Sequence, residues 1–225
     1  MPLHPLIGSG VKAFVFDAYG TLFDVHSAVM RHAPRVGPLA QALSDLWRTK
    51  QLEYSWVMSL AGRWRSFWEL TEDALDFALA RHSSIDASLK PDLMAAYRTL
   101  SAYPEAPETL RRLRAENYRT AILSNGEMTM LHHAIASAGI GDLLDAVWSV
   151  DEVQIFKPDR RVYQLAVGGF GLSPQEMCMV SSNRWDVAGS TAFGMKAVWV
   201  NRAGNPDEYP DLAPRAVVKD LGGLL

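Results

Sequence analysis

Val11-Lys12-Ala13-Phe14-Val15-Phe16-Asp17, followed by Ala18-Tyr19-Gly20-Thr21, decides the fold. The first seven residues form a short run rich in β-branched and aromatic types. They read as a buried strand, and Gly20 marks the turn that ends it. Downstream, from residue 24 to residue 103, the pattern changes to helical periodicity with no clear strand. Leu39, Leu43, Leu46, Trp47, Tyr54 and Val57 fall near one helical stripe, interrupted only by Lys50. A second helix is expected after Thr71, with Glu72 and Asp73 in an acidic first turn, and a third over residues 93–100, stopping before Pro104.

From residue 104 onward, helices and strands alternate. The pattern predicts helices over residues 105–116, 127–138 (with Gly139 as C-cap), 159–168 and 184–193. It predicts strands over residues 119–124, 146–150, 177–181 and 196–201. Ser173-Pro174-Gln175-Glu176 is a capping-box match with Pro at the first helical position. The expected architecture is α/β: an open, Rossmann-like parallel-sheet core, residues 1–23 and 104–225, with a helical cap subdomain, residues 24–103, inserted after the first strand. In such sheets a site forms outside the carboxyl ends of the strands. That rule gathers Asp17, Ser124, the stretch after Val150 and the stretch after Val180.

Composition narrows the function classes. At 225 residues, 48% hydrophobic and 21% charged, the chain can bury a core without staples. A formal net charge of −3 argues against a nucleic-acid surface. Arg111, Arg112 and Arg114 are flanked by Glu105, Glu108 and Glu116, the mark of a solvated helix face. Cys178 is the only cysteine, so no intramolecular disulfide forms, and its apolar surroundings read as core. Residues 1–10 lack the apolar stretch of a secretory leader, and no span is long enough for a membrane helix. The expectation is a cytoplasmic enzyme without membrane attachment. His132 and His133 read as helix surface.

Four segments carry chemistry-bearing residues in order: Phe16-Asp17-Ala18-Tyr19-Gly20-Thr21-Leu22, Leu123-Ser124-Asn125-Gly126, Lys157-Pro158-Asp159, and Ser181-Ser182-Asn183-Arg184-Trp185-Asp186. Together they resemble the four motifs of the haloacid dehalogenase superfamily, in the variants of its L-2-haloacid dehalogenase (type II) branch, and the resemblance spans nearly the whole chain. It implies that Asp17 is a nucleophile, although an isolated Asp here would read as a turn cap. Superfamily phosphatases usually carry a second Asp two residues on, to protonate a leaving alkoxide; here Tyr19 stands there. A halide leaves without a proton, so that acid is dispensable. Ser181, Ser182 and Asn183 before the single Asp186 supply too little charge for Mg²⁺, and no metal or other cofactor is expected.

The resemblance further implies that Lys157 holds the Asp17 and Asp186 carboxylates, and that Arg48, Asn125 and Trp185 surround the halide. Ser124 and Asn125 also suit an Asn-Gly turn, and Arg48 taken alone reads as solvent-facing. Thr21, Tyr163, Ser181 and Asn183 are expected to orient carboxylates. Ala18, Tyr19, Leu52 and Phe67 are expected in the substrate pocket, and Thr49 stands where the family often has a longer polar side chain. Trp47, Trp56, Trp64 and Trp68 belong to the cap, with Trp64 and Trp68 spaced to share a helix face. The implied reaction turns a short L-2-haloacid into a D-2-hydroxyacid plus halide through an Asp17 ester, in a homodimer. The alternatives are a Mg-dependent phosphohydrolase of the same superfamily and a catalytically silent binding protein.

Overall fold

The computed structural model describes Ile7 and residues 10–225. The reading of residues 1–10 as no leader falls mostly on residues 1–6, 8 and 9, which lie outside the described residues. At the centre stands β1 (Ala13–Phe16), with all four residues buried. It pairs in parallel with β4 (Arg119–Ser124) on one side and β6 (Met177–Ser181) on the other, with Phe16 opposite both Ile122 and Val180. Beyond β4 lies β5 (Ala146–Ser149); beyond β6 lie β7 (Lys196–Val200) and β8 (Ala216–Val218). The six-stranded order is β5-β4-β1-β6-β7-β8, all parallel. The chain builds outward first to one side of β1 and then to the other, so β1 is the switch point where such sheets open a crevice. Its register places Asp17, Ser124 and Ser181 at one edge.

Helices α6 (Ala106–Ala115), α7 (Met128–Ala138), α8 (Arg160–Phe170) and α9 (Arg184–Phe193) connect these strands. Gly139 ends α7 in the left-handed conformation, as its position implies. Asp159 caps α8 by accepting from the Arg161 N–H, which places Lys157 in the turn just outside that helix. The Ser173–Glu176 capping box is present but closes only a single 3₁₀ turn, Pro174–Glu176, before β6 begins. His132 and His133 are exposed on α7, and Cys178 is wholly buried in β6.

Between the short antiparallel strands β2 (Phe23–Asp24) and β3 (Ser101–Ala102) the regular structure is helical: α1 (Ser27–Met30), α2 (Ala33–Val36), α3 (Ala40–Leu60), α4 (Phe67–Arg81) and α5 (Lys90–Arg98). Two expectations need correction here. Helix α4 begins five residues before Glu72, because Ser66 and Glu69 form a reciprocal capping box. Trp64 therefore lies outside α4 and shares no helix face with Trp68; it stacks on Phe156 with ring centroids 5.0 Å apart.

The buried face of α3 also differs from the apolar stripe. It consists of Ala40, Leu43, Ser44, Trp47, Gln51 and Ser55, whereas Val57 is 49% exposed and Leu46 and Tyr54 are half-buried. The polar members tolerate burial because each has a partner: Ser44 with His26 Nδ1 at 2.8 Å, Ser55 with the Leu52 carbonyl at 2.7 Å, and Gln51 with Thr71 and Tyr97. No helix among the described residues is long and apolar enough to cross a membrane.

Candidate active site

Asp17 follows the last residue of β1 and is 5% exposed, its backbone N–H bonded to the Val180 carbonyl of β6. Its Oδ1 accepts from Lys157 Nζ at 3.2 Å; its Oδ2 accepts from Thr21 Oγ1 at 3.1 Å and Asn183 Nδ2 at 2.8 Å. Lys157 is fully buried and also donates to Asp186 Oδ2 at 2.9 Å. Tyr163 donates to Asp186 Oδ1 at 2.8 Å. Two carboxylates thus share one ammonium, and each of their oxygens has a donor, which is what buried charge requires.

The loop after β1 is built to present this carboxylate. Gly20 adopts φ +93°, which suits glycine, and the Ala18 carbonyl accepts from both Leu22 and Phe23 N–H at 3.0 Å. Thr21 Oγ1, besides meeting Asp17, accepts from the Ser182 N–H at 2.8 Å and so ties the loop to the end of β6. The N–H groups of Ala18 and Tyr19 meet no protein acceptor among the described residues and remain available beside Asp17.

Tyr19 is 2% exposed, stacked on Tyr97 with centroids 5.8 Å apart and tilted on Phe67 at 6.0 Å. Its hydroxyl has no hydrogen-bond partner among the described residues. Burial, reinforced by Tyr97, pushes its phenol well above the usual value, so it stays a neutral donor. Asn125 Oδ1 accepts from the Lys157 N–H at 2.9 Å, while its buried Nδ2 likewise meets no acceptor among the described residues. Ser124 Oγ accepts from the Gly126 N–H at 3.0 Å, so its turn role is realised, and it donates to no protein acceptor among the described residues. Tyr19 Oη and Asn125 Nδ2 are thus buried donors without acceptors among the described residues, groups that a ligand's anionic atoms could satisfy.

Arg48 does not face solvent, as its sequence position alone implied. From α3 its Nη2 reaches the Tyr19 carbonyl at 3.1 Å and Asn183 Oδ1 at 3.4 Å. Leu52 is half-buried and Phe67 is buried against Phe156, with centroids 5.8 Å apart. Thr49 lies on the exposed side of α3, bonded to the Asp45 carbonyl, away from Asp17. Trp185 is half-buried and packs edge-on against Trp56 at 5.5 Å; both line, with Phe156 and Lys157, a cavity of about 640 Å³. Ser181 is the one expected orienting residue that touches no carboxylate: its hydroxyl accepts from the Asn183 N–H at 3.1 Å and acts one step removed.

Burial pushes the Asp186 carboxyl up; Lys157 opposes this and Asp17 reinforces it. Burial and then the adjacent Asp186 raise the Tyr163 phenol, which keeps it a donor. For a hard metal ion the only carboxylates here are Asp17 and Asp186, and no group of three His, Cys, Asp or Glu is placed to hold one among the described residues. Gln51, Thr71 and Tyr97 were missed from sequence. Their signal, polar residues at the core-facing positions of helices, shows only once the faces of α3, α4 and α5 are known.

The family model described as haloacid dehalogenase-like hydrolase matches residues 11–194. The chain is 51% identical over 205 residues to (S)-2-haloacid dehalogenase 4A of Burkholderia cepacia, covering 91% of this chain and 88% of that one. Among solved structures, a dehalogenase with an intermediate complex superposes with a TM-score of 0.94 at 48% identity, covering 96% of each chain. The L-2-haloacid dehalogenase of Xanthobacter autotrophicus with chloropropionic acid covalently bound matches with a TM-score of 0.84 at 37% identity, over 95% of this chain and 96% of that one. The chain that carries this centre thus has relatives over nearly its full length, and it belongs to the haloacid dehalogenase-like hydrolases, in their L-2-haloacid dehalogenase branch.

Proposed function

We propose that the protein hydrolyses short L-2-haloalkanoic acids to D-2-hydroxyacids and halide, with Asp17 as nucleophile. The observation that carries this reading is a buried carboxylate, held by Lys157, Thr21 and Asn183, with a tyrosine two residues on where a phosphatase needs an acid. An Asp17 oxygen attacks C2 in line; the carbon–halogen electron pair departs as halide, and an ester joins Asp17 to the product with inversion. Water next attacks the Asp17 acyl carbon and gives a proton to the Asp186 side. The ester's acyl–oxygen bond then breaks, and the hydroxyacid takes up a proton as it leaves. Burial makes the Asp186 carboxylate a stronger base than an exposed aspartate, and the free Ala18 and Tyr19 N–H groups are donors for the acyl oxyanion.

In this scheme Arg48, Asn125 and Trp185 surround the halide, Ser124 and Lys157 meet the substrate carboxylate, and Ala18, Tyr19, Leu52 and Phe67 complete the pocket. Tyr163 and Ser181 act as orienting residues. No metal takes part, because Lys157 supplies the positive charge between the carboxylates. The helical segment 24–103 works as a cap on the core formed by residues 1–23 and 104–225; the β2–β3 ribbon at its neck supports that division. A cytoplasmic homodimer fits the buried, reduced Cys178 and the exposed Val57, Leu60 and Phe77 of the cap. The test is halide release from L- and D-2-chloropropionate with and without EDTA. D-lactate and chloride from the L-substrate alone, unaffected by EDTA, are expected; metal-dependent turnover, or none, overturns the reading.

A further inference from the structure

The geometry points to Gln51 as the residue that positions Arg48 and keeps its charge uncompensated for the departing halide, an inference that rests on the halide role proposed above for Arg48. Gln51 is 1% exposed, and neighbouring bonds fix which way its amide faces. The Thr71 hydroxyl gives its proton to the Phe67 carbonyl at 2.7 Å, so it meets Gln51 as an acceptor. The atom 2.6 Å from it is therefore Nε2. Trp47 Nε1 donates to the Thr71 carbonyl at 2.8 Å and holds that turn of α4 against α3. With Nε2 committed to Thr71 and to Tyr97 Oη at 3.0 Å, Oε1 faces Arg48 Nη1 at 2.8 Å.

Arg48 is thus gripped at both ends. Gln51 holds Nη1, and the Tyr19 carbonyl and Asn183 Oδ1 hold Nη2. All three acceptors are neutral, and no carboxylate pairs with Arg48 within 4.0 Å among the described residues. Asp17 is one amide away, since Asn183 donates to it through Nδ2 while accepting from Arg48 through Oδ1. A glutamate in place of Gln51 would hold the guanidinium as well, yet neutralise it. An amide orients it and leaves the full charge for a nearby anion, where charge-assisted bonds are the strong ones. Tyr97 extends the same clamp to the nucleophile loop, because its ring stacks on Tyr19. Gln51, Thr71 and Tyr97 are accordingly positioning residues, acting through Arg48 and Tyr19.

The experiment compares full-length wild type with Gln51→Glu, Thr71→Val and Arg48→Ala, after circular dichroism confirms folding. Two readouts follow leaving-group assistance: inhibition by added bromide, and the ratio of kcat for 2-chloro- over 2-bromopropionate, chloride being the poorer leaving group. Gln51→Glu, which keeps the arginine and nearly every atom, is expected to weaken bromide inhibition about tenfold, the scale of one charge-assisted hydrogen bond, and to lower the chloro-to-bromo ratio. Thr71→Val frees the amide to turn and shifts both readouts the same way by less. Wild-type values for both readouts in Gln51→Glu and Thr71→Val, with Arg48→Ala shifted, overturn the inference and leave the Arg48 role standing. Unchanged values in Arg48→Ala overturn the halide role itself and this inference with it. Should Gln51→Glu not fold, Thr71→Val decides alone, and wild-type values there overturn the inference.

Discussion

At the scale of single residues, chemistry and burial are inseparable here. Asp186 is a stronger base because it is buried, and its hydrogen bond from Tyr163 works against that rise. In the proposed hydrolytic step its ionised form accepts the proton, so activity is expected to be lost on acidification at a higher pH than for an ordinary aspartate. Tyr163→Phe removes a bond that stabilises the carboxylate; the acidic limb of the kcat profile is expected to move further up, whereas an unmoved limb would remove Asp186 from the hydrolytic step. Cys178 shows the opposite use of burial. Its thiol is pushed up to about 12, which suits an enzyme whose substrates alkylate thiols. A disulfide-exchange reagent is expected to leave the native protein untouched and to label one thiol after denaturation. Most site residues were legible because they sit in four short motifs at strand ends. Gln51 was not, since a glutamine inside a helix carries no sign of the side it faces.

At the scale of elements, capping and close approach explain where sequence reading held and where it slipped. Strands β4 and β6 and helix α9 were legible to the residue, since apolar runs, Gly and Asn mark their ends. Helix α4 starts earlier than the acidic pair Glu72-Asp73 implies because Ser66 and Glu69 cap it. Ser66→Ala is expected to cost about 1 kcal/mol in denaturant unfolding. The capping box before β6 supplies a pH-dependent test. Glu176 is held to about 2 by Lys12 first, then by the backbone and hydroxyl of Ser173. A depressed carboxyl stabilises the fold above its ordinary value near 4.5 and loses that contribution as pH falls toward 2. Glu176→Gln is therefore expected to lower the melting temperature slightly at neutral pH, the gap closing near pH 2. The turn after β4 is tighter still. A Cβ on Gly126 would lie 2.5 Å from Tyr19 Cε2, so Gly126→Ala is expected to displace the Tyr19 ring, costing about 1–3 kcal/mol and most of the activity.

At the scale of the whole molecule, the site exists only where two layers meet. The α/β core supplies Asp17, Asn125 and Lys157 from loops and Asp186 from the first turn of α9, all at the carboxyl edge of the sheet, and α3 leans over them with Arg48. The Phe156 N–H donates to Ser59 of α3 at 3.1 Å, and the Trp68 N–H of α4 donates to Glu127 at 3.1 Å, fastening the two layers on the lysine side and at the start of α7. The parallel alternation after residue 104 made the sheet legible in sequence. The direction in which the cap helices face was not, because it depends on buried polar partners rather than on an apolar stripe. Leu60, 89% exposed at the end of α3, is the residue that tests the proposed homodimer: sedimentation of the wild type as a dimer and a shift toward monomer in Leu60→Glu are expected, and a monomeric wild type contradicts the proposal. The central claim, that Asp17 forms an ester which water then opens, is tested most directly by a single turnover in oxygen-18 water with enzyme in excess over L-2-chloropropionate. Label in the Asp17 peptide with unlabelled lactate is the expected result; label in the lactate hydroxyl with none in Asp17 would contradict it.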